Sequence, residues 1–234
     1  MKKIYKNIAI LTSAFTLIAG FAYSTIDSKK SAAATKYEPT KIDNKNLASN
    51  RISKSAKSSN VLIYTSQPDE KYVTGKKTTD IGNLLSSKLN EKGMNSDFIN
   101  NKITKEALEP NKKYISYHGV VRKFVTQNVK DYNNSILLNI RRNDFPEEDI
   151  VIALVKNNPH YAENKKFADS LVEQFNKLGQ RVRINYYGGN NNSLNQDLSN
   201  QSISLAIGNN QSNDSELNKT VDAIATALQN VQDK

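Results

Sequence analysis

Residues 136–155 read ILLNIRRNDFPEEDIVIALV, and this stretch decides the fold. Ile136–Ile140 and Ile150–Val155 are short, nearly continuous apolar runs rich in β-branched residues, the pattern of strands buried on both faces. Between them, Asp144-Phe145-Pro146-Glu147 supplies turn residues. The join is short and hairpin-like, so one antiparallel neighbour is expected within the sheet.

Helical and apolar patterns alternate on either side of this stretch. After Pro159 a long helix is expected to run to Leu178, with Phe167, Leu171, Phe175 and Leu178 on one face and Gly179 as its stop. Val182–Tyr186 and Ile203–Ile207 read as strands, and Leu217–Val231 as a closing amphipathic helix. Upstream, Val61–Thr65 reads as a buried strand and Ser96–Ile99 as a weaker one. A helix at Thr79–Lys92 places Ile81, Leu84, Leu85 and Leu89 on one face; another spans Tyr117–Tyr132 through Val121, Phe124, Val125 and Val129. Strands alternating with helices of this length specify an α/β fold of three layers, with a mostly parallel or mixed sheet and helices on both faces.

The N-terminus is compositionally separate. Lys2, Lys3 and Lys6 precede an apolar run over residues 8–23, and Ala32-Ala33-Ala34 offers small residues for cleavage. Residues 1–34 therefore read as a secretory signal peptide, or as an N-terminal membrane anchor through residues 8–23 if uncleaved. Residues 35–59 are polar, rich in Lys, Ser and Asn, and are expected to be a flexible linker. The α/β domain is expected to occupy residues 60–234. The chain has no cysteine, which excludes a disulfide framework, a thiolate metal site and lipoprotein anchoring. Its net charge is +10; residues 1–34 carry five lysines and one aspartate, so +6 remains without them. Such a charge suits an anionic wall or membrane surface. No arginine run interleaved with aromatics points to nucleic acid, so no nucleic-acid partner is expected.

Catalytic side chains in α/β folds gather at the carboxyl ends of the strands. Here those ends are Thr65-Ser66-Gln67-Pro68-Asp69-Glu70, Ile140-Arg141-Arg142-Asn143 and Leu205-Ala206-Ile207-Gly208, and none holds a histidine or cysteine. The two histidines lie elsewhere. His160 reads as a helix-start surface residue, and His118 has no acidic residue at helical spacing with which to form a metal pair. No Gly-x-Ser-x-Gly is present to make a serine nucleophile elbow. The polar stretch Tyr186–Asn192 includes two tyrosines that could stack on sugar rings; its Gly-Gly pair lacks a phosphate-loop context.

Several segments together resemble the stage II sporulation protein P family: Val61-Leu62-Ile63-Tyr64 with Glu70 and Tyr72; Asn157-Asn158-Pro159-His160-Tyr161 with Asn164 and Phe167-Ala168; and Asn195-Gln196-Asp197-Leu198-Ser199 before the last strand. The likeness runs from Val61 to about Val231. It implies a phosphorylase/hydrolase-like amidase fold and, for intact members, zinc-dependent N-acetylmuramoyl-L-alanine amidase activity. The departures fall on the chemistry. The family's His-x-His element corresponds to Thr65 and Gln67, a histidine of its third strand to Arg141, and its catalytic glutamate to Ala206. Of the acidic groups of the family's own first loop, only Glu70 is kept.

A catalytic zinc needs about three nitrogen or oxygen side-chain ligands and an open position for water. Glu70 alone does not supply them, and Arg141 would repel a dication. Zinc, the cofactor the family implies, is therefore not expected to bind, and Thr65, Gln67, Arg141 and Ala206 are vacated positions. The resemblance leaves Glu70, Arg141, Arg142, Asn143, Asn195, Gln196 and Asp197 as binding-groove candidates, with a Glu70–Arg141 salt bridge filling the metal position as the structural alternative. The reading is of an exported, catalytically inactive amidase-like protein. It would be secreted or anchored on the outer face of the cytoplasmic membrane, and would bind peptidoglycan or a wall-enzyme partner. An active peptidoglycan hydrolase with a non-standard site and a structural surface protein are the alternatives.

Overall fold

The computed structural model describes residues 61–103, 117–188, 194–209 and 211–233. The expected leader and linker, and residues 189–192 of the polar loop, lie outside the described residues. In chain order the elements are β1 (Val61–Tyr64), α1 (Thr78–Glu91), β2 (Ser96–Phe98), a 3-10 turn (Ile99–Lys102), α2 (Tyr117–Asn128), β3 (Ile136–Asn143), β4 (Ile150–Val155), α3 (Tyr161–Lys177), β5 (Val182–Tyr187), β6 (Gln201–Asn209) and α4 (Asp214–Gln232). α4 starts with a reciprocal cap: Asn213 Oδ1 accepts the Glu216 N–H, and Glu216 Oε2 accepts the Asn213 N–H.

The strands form one sheet in the order β2-β1-β3-β6-β4-β5. β2, β1, β3 and β6 are parallel; β4 runs antiparallel to β6, and β5 parallel to β4. The α/β architecture with a mixed sheet is as expected, but the hairpin is not. β3 and β4 never pair, because β6, some sixty residues later in sequence, inserts between them. The two strands do run in opposite directions, so the short join is correct in sense and wrong in adjacency.

Strand alternation divides the sheet into two faces. One carries Val61, Ile63, Ile136, Leu138, Ile140, Ile150, Ile152, Leu154, Ile203, Leu205 and Ile207, packed under the apolar faces of α1, α3 and α4. On the other, Leu62, Tyr64 and Leu137 meet Val121 and Val125 of α2 and Ile99 of the 3-10 turn.

The β4–β6 ladder stops at Ala153 and Ser204, and side-chain amides take over from backbone there. Fully buried Gln196 donates from Nε2 to the Ala153 carbonyl at 2.8 Å, and its Oε1 accepts the Val155 N–H at 3.0 Å. Asn164, also fully buried, accepts the Ser202 N–H and donates to the Gln196 carbonyl, both at 2.8 Å. Each amide copies a peptide group, pairing the Val155 and Ser202 N–H donors and the Ala153 and Gln196 carbonyls.

The loop bearing Gln196 is held in a costly shape. Leu194 and Asn195 have φ of 49° and 62°, a left-handed region that non-glycine residues rarely adopt. Hydrogen bonds fix it there: the buried Tyr64 hydroxyl donates to the Leu194 carbonyl at 2.9 Å, and Ser202 Oγ to the Asn195 carbonyl at 3.1 Å. At the far end of β6, Gly208 has φ +55°, and a Cβ there would lie 2.5 Å from Leu217 Cδ2.

Two substitutions test this account by urea unfolding. Gln196→Ala should destabilise by about 1–3 kcal/mol for each buried group it leaves unpaired. Gly208→Ala should cost roughly 1–3 kcal/mol through overpacking, with added backbone strain. Wild-type midpoints for both variants would contradict the packing described.

Candidate functional site

β1 has β2 on one side and β3 on the other, so the chain reverses its lateral direction at β1. The crevice at the carboxyl ends of β1 and β3 is therefore the topological switch point, where α/β folds bind ligands. Register brings Thr65, Arg141 and Ala206 to neighbouring strand ends there. Tyr64, which precedes Thr65, is paired with Asn139, and Arg141 lies directly beside Ala206 on the neighbouring strand.

Thr65 is fully buried and its polar groups are spent locally. Its N–H donates to Asn100 Oδ1 at 2.8 Å, its carbonyl accepts from Asn100 Nδ2 at 2.9 Å, and its Oγ1 accepts the Gln67 N–H at 3.0 Å. Gln67 is exposed. Glu70 uses Oε2 to accept the Arg142 N–H at 2.9 Å, clamping the loop after β1 onto the end of β3. Arg142 strengthens the clamp by donating from Nη1 to the Lys71 carbonyl at 2.6 Å. Tyr72 completes it, donating its hydroxyl to the Ile207 carbonyl at 2.8 Å.

The expected salt bridge between Glu70 and Arg141 does not form. Arg141 faces Asp144 at 3.6 Å, and Arg142 contacts the same carboxylate at 3.2 Å. Strand alternation explains this, because consecutive residues of β3 point to opposite faces. Arg141 shares the Asn139 face and Arg142 the Ile140 face, and both guanidiniums reach round to the one Asp144 carboxylate just past the end of β3.

Four other groove candidates are engaged in holding the scaffold. Asn143 is fully buried and spends its amide on the turn before β4: Nδ2 donates to the Phe145 and Glu148 carbonyls, each at 2.8 Å, and Oδ1 accepts the Phe145 N–H. Gln196 completes the β4 edge. Asn195 is buried and its Oδ1 accepts from Arg122 Nη1 at 3.0 Å. Asp197 takes a two-pronged contact from the same guanidinium, at 2.9 and 2.6 Å, tying the loop to α2. All are polar residues beside the strand ends, which drew them into the sequence reading; their burial depends on contacts distant in sequence.

The sequence reading missed Asn139 and Ser204. They are adjacent on β3 and β6, both buried, with Asn139 Nδ2 donating to Ser204 Oγ at 3.2 Å and Asn139 Oδ1 left without a partner. The available signal was a polar residue at an inward position of an otherwise apolar strand. His118, in the first turn of α2, is half-buried, and burial lowers its pKa. His160 precedes α3, its N–H donating to Asn158 Oδ1.

The donor set does not fit the zinc that the resemblance implies. The relevant positions offer a committed hydroxyl, an exposed amide, a guanidinium and a methyl group. The nearby carboxylate is engaged with a backbone N–H. Among the described residues no group of three or more His, Asp or Glu side chains is placed to hold a metal ion.

The model of a family described as stage II sporulation protein P matches residues 19–229 of the chain. Among solved structures, the CwlD amidase from Clostridioides difficile, in complex with the GerS lipoprotein, is similar with a TM-score of 0.53 at 14% identity, covering 74% of this chain and 98% of that one. The apo form of the N-acetylmuramyl-L-alanine amidase Ami1 from Mycobacterium abscessus is similar with a TM-score of 0.50 at 9% identity, covering 72% of this chain and 96% of that one. At such identities the likeness is one of fold. No curated protein matches the chain.

Burial pushes the phenols of Tyr64 and Tyr72 well above their ordinary range. A raised folded-state pKa means that the unfolded chain loses its phenolic protons first. Stability is thus unaffected by these groups below about pH 10 and falls as pH rises beyond it. An ultraviolet pH titration should show two tyrosines that ionise only as the domain unfolds. Ionisation of every tyrosine near pH 10 with the fold intact would contradict the burial.

Proposed function

The chain belongs to the stage II sporulation protein P family, and from that premise we propose that it is an exported, amidase-shaped protein that binds the cell wall without cutting it. The observation that carries this reading is the juxtaposition of Arg141 and Ala206 on adjacent strands. By the resemblance these are the positions of a metal ligand and the catalytic base. A guanidinium opposes metal binding by charge, and a methyl group cannot accept the proton of an attacking water. Loss of a general base alone removes roughly 10²–10⁴ in rate. Glu70, the acidic group that the resemblance carries over from the family's first loop, is engaged in holding β3.

Residues 1–34 act in this reading as an export signal or anchor, and residues 35–59 as a tether from it to the domain. The binding partner is peptidoglycan or a wall protein. Arg141, with Gln67 and Glu70 at the neighbouring strand end, forms the contact region.

The test is co-sedimentation with insoluble peptidoglycan, followed by analysis of the supernatant. The protein should pellet with the polymer and release no stem peptide, with or without added divalent metal. Release of stem peptide that a chelator abolishes would overturn the proposal.

A further inference from the structure

The described residues hold eight buried side-chain nitrogen or oxygen atoms without a hydrogen-bond partner, and five of them belong to four residues on or beside one face of the sheet: Asn139 Oδ1, Arg141 Nε, Glu148 Oε2, and Arg183 Nε and Nη2. Unpartnered buried polar atoms are rare and costly in folded proteins, so these need an explanation. Register supplies the geometry. Arg141, Ala206, Val151 and Arg183 form one row across β3, β6, β4 and β5, all on the same face. Asn139 sits two residues before Arg141, beside Ser204. The row spans about 14 Å, three strand spacings, with an arginine at each end. Its two central residues are small or aliphatic and buried, while the Arg141 and Arg183 side chains are 34% and 40% exposed.

Each arginine has only partial compensation. Arg141 shares Asp144 with Arg142, at 3.6 Å. Arg183 lies over the Phe145 ring at 4.2 Å and reaches Glu148 Oε1 from Nη1 at 3.3 Å, leaving its other donors and Glu148 Oε2 unused. The unused set thus contains both signs of hydrogen-bonding group: guanidinium donors, and the acceptors Asn139 Oδ1 and Glu148 Oε2. A phosphodiester polymer offers acceptors for the arginines and no N–H for the two acceptors. A peptide bearing a free carboxylate offers both.

We infer that the Arg141–Arg183 row is a carboxylate-recognition site for an acidic peptide, in which fixed guanidinium charge binds where the amidase relatives place a metal. The inference rests on the wall-binding reading above and assigns its ligand chemistry to the peptide portion of the polymer. A planar guanidinium suits a carboxylate better than an ammonium does, since it offers two parallel N–H donors. Ala206 leaves room beside Arg141, whereas a glutamate there would pair with it.

Calorimetric titration of the full chain tests the inference with three probes: a soluble muramyl peptide with free carboxylates, the same peptide with its carboxylates amidated, and poly(glycerol phosphate). The free acid should bind, and amidation should weaken binding by about tenfold or more, as should Arg141→Gln and Ala206→Glu. Thermal unfolding of both variants guards against misfolding, and the two perturb the site in opposite ways, by removing the charge or by neutralising it. Equal binding of acid and amide, undiminished binding by folded variants, no binding of the free acid, or a preference for poly(glycerol phosphate) would overturn the inference. Sedimentation with insoluble peptidoglycan separates the two readings: wild type and Arg141→Gln pelleting alike would sink this site and leave wall binding standing, whereas failure of the wild type to pellet would sink wall binding itself.

Discussion

β6 is the strand on which the rest of the molecule depends. It must pair in parallel with β3 on one edge and antiparallel with β4 on the other, over unequal lengths. Where the shorter ladder ends, backbone groups of β4 and β6 would be buried without partners, at a cost of about 1–3 kcal/mol each. The amides of Gln196 and Asn164 remove that cost. In doing so they fix the loop before β6, with its two left-handed residues, against Tyr64 and Arg122. The placement of Arg141 beside Ala206 follows from that register.

At the switch point, the ends of β1 and β3 are held by a scaffold of hydrogen bonds. The scaffold contacts there are hydrogen bonds between side chain and backbone: Asn100 to Thr65, Glu70 to Arg142, and Asn143 to the turn that follows it. None requires a metal. A guanidinium in the third strand needs only a nearby carboxylate, which Asp144 supplies. Half-exposed pairs of this kind contribute little to stability, so Arg141 is not explained as a stabilising element. Its unused donor, together with those of Arg183, is better accounted for by a ligand.

The fold was legible wherever the signal was local. Apolar runs at Ile136 and Ile150, the helical face of Phe167, Leu171 and Phe175, and the stop at Gly179 sit where the elements are. Adjacency was not legible, because the insertion of β6 between β3 and β4 depends on pairing far along the chain. The same limit governs the candidate site. Asn143, Asn195 and Gln196 are polar residues next to strand ends, and only tertiary burial turns them into backbone mimics. That Arg141 and Arg142 leave β3 on opposite faces could have been read from alternation once the strand is seen to extend to Asn143; that both guanidiniums turn to Asp144 could not. Asn139 and Ser204 were legible in principle as polar residues facing inward on apolar strands; that they adjoin depends on register.

The account's central claim is that fixed side-chain charge stands at the position that the family resemblance assigns to a metal ligand, and competition for zinc tests it most directly. The purified chain is mixed with a zinc-loaded chromophoric chelator, and loss of the metal-bound colour is followed as protein is added. The account predicts that the chelator keeps its zinc at every protein concentration. Withdrawal of one equivalent by the wild-type chain, lost in Glu70→Gln, would contradict it.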